Sequence, residues 1–143
     1  MAKIATVITD LFEDSEYTVP AEAFKEAGHE VITIEKEAGA EIKGKKGEKL
    51  TVDKGIGDVT PEDFDALLIP GGFAPDILRA DDRFVAFVKA FMDDRKPVFA
   101  ICHGPQLLIT AKSLEGRDAT GYKSIKVDME YAGANYADQE VVV

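Results

Sequence analysis

Hydrophobic positions along the chain follow two rhythms. Short runs rich in β-branched residues, KIATVIT (3–9) and EVITIE (30–35), read as strands. DALLIP (65–70) and KPVFAI (96–101) are continuous apolar runs rather than alternations, the pattern of strands covered on both faces. Elsewhere the period lengthens. Residues 81–94 place Phe84, Phe87, Val88 and Phe91 at helical spacing, so one face of that helix is core. DLFEDSEYTVPAEAFKEAG (10–28) opens with acids, as a helix N-terminus does, and Gly28 stands where a C-cap belongs. Pro20 inside it predicts a kink or a late start. GPQLLITAKSL (104–114) reads as a helix, followed by a short strand near 118–121, a helix near 123–132 and a last apolar run, EVVV (140–143).

Punctuation between these runs is equally local. Gly44 and Gly47 are turn residues of a hairpin over 40–53. Thr60 is placed to cap a helical turn, with Pro61 at its first position. Strands alternating with helices predict an α/β domain with a mostly parallel sheet.

The length of 143 residues suits one domain, 1–143, and 45% apolar residues suffice for a core. No window approaches the roughly 18 apolar residues of a membrane span, and the N-terminus lacks the pattern of a signal peptide. A net charge of −10 argues against nucleic acid as a partner, since a duplex-binding face must be basic. The basic cluster EIKGKKGEKLTVDK (41–54), five lysines against three acids, reads as a solvated hairpin. One cysteine cannot form an internal disulfide, which points to the cytoplasm. One cysteine and two histidines at no ligand spacing make no metal site, and no cofactor motif is present.

That cysteine is the centre of the candidate chemistry. In VFAICHGPQLLIT (98–110) a buried strand runs directly into Cys102 and His103, and Gly104-Pro105 opens a helix. Ligands of parallel sheets bind beyond the carboxyl ends of strands. The spacing predicts a nucleophile elbow with cysteine in place of serine. A helix N-terminus beside the sulfur favours thiolate, the nucleophilic form. The histidine base can only be His103, because His29 follows the C-cap of the first helix, where a surface residue is expected. Gly71-Gly72 follows the neighbouring strand, so the N–H groups of Gly72 and His103 are candidate donors to an oxyanion.

Together these residues resemble the ThiJ/PfpI superfamily, and most closely its PfpI-like intracellular protease and general stress protein branch. AICHGPQLLI resembles the elbow of that family. FEDSEYTVP, DALLIPGGFAPDILR and DMEYAGANYADQEVVV resemble further family segments, in order and across essentially the whole chain. The resemblance implies a flavodoxin-like three-layer sandwich related to class I glutamine amidotransferases. It implies Cys102 as nucleophile, with the Glu16 carboxyl held beside the sulfur. A carboxyl near a thiolate is pushed toward protonation and then donates a hydrogen bond to it. It further implies a homodimer or higher homo-oligomer in which an acid from a neighbouring subunit orients the histidine. The matching position is Asp76, a shorter residue than the glutamate of the protease pattern. Family members continue past EVVV with another strand and a closing helix, so the C-terminal strand and helix of the fold are expected to be missing here.

The expected function is that of a cysteine-dependent hydrolase acting in the stress response. Its substrates are expected to be peptides, small reactive carbonyls or glycated proteins, the last two through glyoxalase or deglycase chemistry. Peptidolysis requires His103, Asp76 and an oligomer, whereas attack on an aldehyde requires chiefly Cys102 and Glu16. The alternative is a non-catalytic redox-sensing or chaperone-like stress protein with an oxidisable Cys102. Glutamine amidotransferase activity is disfavoured by the lack of a downstream histidine.

Overall fold

The computed structural model describes residues 1–143. In chain order its elements are β1 (Lys3–Val7), α1 (Asp14–Glu26), β2 (Glu30–Glu35), β3 (Glu41–Lys43), β4 (Lys49–Thr51) and β5 (Lys54–Gly55). There follow β6 (Ala66–Ile69), α2 (Ala74–Leu78), α3 (Asp82–Asp93), β7 (Val98–Ala100), α4 (Pro105–Thr110), β8 (Asp118–Ala119), α5 (Lys126–Tyr131) and β9 (Asn135–Tyr136). The main sheet has the order β5-β2-β1-β6-β7, and all its pairings are parallel. Two small ribbons flank it, antiparallel β3–β4 and parallel β8–β9.

Successive strand residues feed opposite faces of the sheet. Ala5 and Val7 of β1 and Leu67 and Ile69 of β6 pack with Phe84, Phe87, Val88 and Phe91 of α3 and with Leu107 and Leu108 of α4. Ile4, Ala66 and Leu68 face the other way, with Phe24 of α1 against them. Both faces of β1 and β6 are therefore covered. β7, expected to be buried as well, is the edge strand of the sheet, and its Phe99 is exposed. Each large apolar side chain so buried stabilises the fold by about 1.5–3 kcal/mol relative to exposure. The result is the α/β flavodoxin-like sandwich with a parallel sheet that the sequence predicts. No helix is long and apolar enough to cross a membrane.

Several local expectations hold. Gly28 adopts φ +89, and its N–H and that of His29 close the end of α1 on Lys25 and Phe24. The Thr60 N–H donates to the Asp63 carboxylate at 3.0 Å, completing a capping box. Others need correction. Pro20 neither breaks nor delays α1, which runs through it from Asp14 to Glu26. The helix over 104–114 is only α4, ending at Thr110, and Lys112 turns the chain with φ 55. The run 140–143 is not a strand, and Val141 and Val143 are exposed. The lysine-rich hairpin is not merely solvated. Asp14, in the first turn of α1, accepts from the N–H groups of Lys46 (2.9 Å) and Glu48 (2.8 Å), which clamps the hairpin onto the helix.

Candidate functional site

The elbow forms where β7 ends. Cys102 has φ 57, a left-handed conformation that costs a non-glycine residue of order 1–3 kcal/mol and that tends to persist where it is functional. Gly104 is required for a close approach rather than for conformational freedom. It is helical itself (φ −50, ψ −38), but a Cβ there would come within 2.5 Å of the Ile69 carbonyl. Its missing side chain lets the elbow settle onto the end of β6. The N–H of Gly104 donates to the Ile101 carbonyl at 2.7 Å and completes the turn.

The second wall comes from the end of β6. The Gly71 N–H donates to Oε1 of Glu16 at 2.8 Å. A Cβ on Gly71 would meet that same oxygen at 2.5 Å and the His103 nitrogen at 2.9 Å. Gly72 (φ +79) bridges to Phe12 in the loop before α1, and Glu13 N–H donates to the Gly71 carbonyl at 3.3 Å. These bonds carry the first turn of α1, and with it Glu16, across to the elbow. The Glu16 carboxyl lies within hydrogen-bonding reach of the Cys102 sulfur.

Electrostatics here differ from those of a simple helix-dipole site. Burial pushes the Glu16 carboxyl up, against the opposing hydrogen bonds from the Gly71 N–H and from Cys102. Burial, and then the charge of an ionised Glu16, push the Cys102 thiol up to about 11. With six residues, α4 is too short to outweigh this. Much of the thiol's rise thus presupposes a carboxylate facing it, and that part disappears when the proton sits on Glu16. The two groups titrate as a pair. The direction that decides the pair's chemistry is the rise of Glu16, caused by its burial. Close by, Glu13 is held low by the ammonium groups of Lys46 (3.0 Å) and Lys45 (3.1 Å). Glu13 therefore stays ionised, and its charge adds a smaller push upward on both Glu16 and Cys102.

The structure brings Cys102, His103 and Glu16 together, with Gly71 against Glu16 and the His103 nitrogen and Gly72 against the loop before α1. Nδ1 of His103 lies 3.6 Å from Sγ. The main-chain N–H of His103 is directed at the sulfur, and neither it nor the Gly72 N–H donates to a main-chain oxygen. Asp76 is not part of this group within the chain. It sits in the first turn of α2, exposed, and pairs with Arg79 at 3.4 Å. His29 is not a free surface residue either: its Nδ1 accepts from the Ala2 N–H at 3.0 Å and ties down the N-terminus. A cavity of about 390 Å³ lined by Arg79, Ile109, Asp128, Tyr131 and Ala132 contains none of the site residues. Strained backbone and convergent polar groups mark the site better than cavity size does.

Two residues of the site were not legible in the sequence. Oγ of Ser124 lies 3.2 Å from Nε2 of His103, and the Tyr122 ring stacks on the imidazole with centroids 4.7 Å apart. The signal that joins them to the elbow is a main-chain bond, Tyr122 N–H to the Cys102 carbonyl at 2.7 Å, which no local pattern announces.

The chain is similar to known proteins. General stress protein 18 of Bacillus subtilis (strain 168) is 71% identical over 142 residues, covering 99% of this chain and 83% of the relative. Protein/nucleic acid deglycase 2 of Escherichia coli (strain K12) is 62% identical over 142 residues, with the same coverage of 99% and 83%. Among solved structures, a two-domain protein from Anabaena variabilis containing DJ-1/ThiJ/PfpI-like and ferritin-like domains superposes with a TM-score of 0.97 at 40% identity. That match covers 100% of this chain and 41% of the other. The family model described as DJ-1/PfpI family spans residues 2–143, taking in Glu16, the Gly71-Gly72 pair and the Cys102 elbow, and the chain belongs to that family.

Proposed function

We propose that this protein is a cysteine-dependent hydrolase of reactive-carbonyl adducts, small aldehydes or glycated amines, acting in the stress response. One observation carries the reading: the Glu16 carboxyl, raised by burial and anchored by the Gly71 N–H, faces the sulfur of a strained elbow cysteine. The names of two relatives, a general stress protein and a deglycase, support the same direction.

In this reading the thiol proton rests on Glu16, and the thiolate is the nucleophile. Sulfur adds to the electrophilic carbonyl carbon. A C–S bond forms as the carbonyl π pair moves to oxygen, which takes up a proton; the Gly72 N–H, which donates to no main-chain oxygen, is the candidate donor to it. Glu16 gives up its proton as the C–S bond forms, to the oxygen of an aldehyde or to the nitrogen of an adduct whose C–N bond breaks, and takes a proton from the water that then attacks carbon and expels sulfur as thiolate. His103, with Nδ1 3.6 Å from Sγ, is the second proton carrier at the site. Nothing within one chain aligns Asp76 with His103, so this chemistry rests chiefly on Cys102 and Glu16. That favours small carbonyl substrates over peptides. A lone thiol with no disulfide partner fits a reducing compartment, the cytoplasm.

The test is consumption of methylglyoxal, and release of amine from a methylglyoxal-modified peptide, by wild type and Cys102→Ser. The expected result is a loss of at least about 10³-fold in the variant. Equal turnover by both proteins would end the reading.

A further inference from the structure

His103 follows the nucleophile directly, and an imidazole in that position works only if its ring is held in one orientation and one tautomer. Within this chain the group at hand is a hydroxyl. Ser124 Oγ stands 3.2 Å from Nε2 on one side of the ring, and Sγ of Cys102 stands 3.6 Å from Nδ1 on the other. The Tyr122 ring covers one face of the imidazole, inclined at 25° to it.

The segment that supplies both residues is fixed rather than loose. Tyr122 N–H donates to the Cys102 carbonyl at 2.7 Å, and the Tyr136 hydroxyl donates to the Gly121 carbonyl at 2.9 Å. A Cβ on Gly121 would meet Met129 Sδ at 2.9 Å and the Cys102 carbonyl at 3.2 Å, so the segment lies tightly on the elbow. The Ile125 N–H donates back to the Tyr122 carbonyl at 3.0 Å, forming the turn that presents Ser124. The elbow and the segment that orients its histidine are thus one hydrogen-bonded unit.

We propose that Ser124 is the positioning residue for His103 in cis: its hydroxyl oxygen accepts the Nε2–H, with Tyr122 stacked on the ring, and so presents the Nδ1 lone pair to the Cys102 sulfur. No other partner engages the Ser124 hydroxyl, which leaves its oxygen free to accept. A water proton can then pass to Nδ1, while the thiol proton stays with Glu16. The inference rests on the reading of Cys102 as nucleophile for its purpose, but not for its geometry.

Long-range ¹H–¹⁵N spectra of protein labelled at histidine nitrogen read the tautomer directly. With only two histidines in the chain, His29 serves as internal reference, since its Nδ1 already accepts the Ala2 N–H. Wild-type His103, above its protonation range, is expected as a single Nε2–H tautomer. Ser124→Ala is expected to relax it to a mixture, and Ser124→Thr, which keeps the hydroxyl, to restore one form. His29 remains unchanged in all three and reports that the fold is intact. Identical His103 tautomer populations in wild type and Ser124→Ala, or an Nδ1–H form in the wild type, would overturn the proposal. Alkylation of Cys102 is followed on the same samples. An inert thiol beside a correctly ordered His103 would count against the nucleophile and leave the positioning role standing.

Discussion

Two acids occupy the same kind of place in the sequence, the first turn of a helix after a strand and a loop: Glu16 in α1 and Asp76 in α2. Their surroundings separate them. Glu16 is turned inward, accepts from the Gly71 N–H and is pushed up by burial beside Cys102. Asp76 is solvent-exposed and pairs with Arg79 three residues on. A local signature places an acid at a helix start. What makes one of them chemical is the glycine pair at the end of β6, which lets a carboxyl approach closer than any side chain there would permit.

The strongest way to break this contrast is Gly71→Ala. The added methyl group would lie 2.5 Å from Glu16 Oε1 and 2.9 Å from the His103 nitrogen, so the carboxyl must move off the sulfur. Overpacking of this kind costs about 1–3 kcal/mol of stability, and misplacement of a catalytic group costs on the order of 10²-fold in turnover. Denaturant titration and methylglyoxal consumption measure the two effects. Wild-type turnover in Gly71→Ala would mean that the Glu16 contact is incidental.

Asp76→Ala probes the other side and should do little. As an exposed substitution it is expected to change stability by less than about 0.5 kcal/mol and turnover by less than about twofold. The comparison sharpens if peptide cleavage and aldehyde turnover are followed together. A tenfold loss accompanied by a change in oligomeric state would put Asp76 to work across a subunit interface, as the family resemblance implies.

Much of this was legible in the sequence because the relevant forces are local. Continuous apolar runs announced two parallel strands, but only β6 is buried; β7 is an edge strand with Phe99 exposed. Helical spacing of Phe84, Phe87, Val88 and Phe91 announced the core face of α3. The elbow was legible because an apolar run, one thiol and Gly-Pro are contiguous. Pro20 does not delay α1, which begins at Asp14 and runs through it. The five-residue α2 and the two-residue β5 and β9 are too short to leave a periodic trace. Contiguity does not announce that the strained φ belongs to Cys102 and the close approach to Gly104. Ser124 and Tyr122 lie some twenty residues beyond the elbow and reach it through main-chain bonds, which composition and spacing do not encode. The helix-terminus argument for a low thiol pKa was incomplete for a related reason. It counted the dipole of α4 and not the burial and the carboxyl brought in from α1.

The proton shared by Glu16 and Cys102 is the centre of the account, and the pH dependence of Cys102 alkylation tests it most directly in wild type and Glu16→Gln. Burial, together with an ionised Glu16, holds the thiol at about 11. A protonated Glu16 instead donates to the thiolate and lets it form at lower pH. The predicted wild-type midpoint therefore lies below the ordinary thiol value of about 8.5. The predicted midpoint of Glu16→Gln lies higher than the wild type, because an amide is a weaker donor and cannot hold the proton. A wild-type midpoint near 11, or a downward shift on Glu16→Gln, would show that the carboxylate opposes the thiolate and would contradict the account.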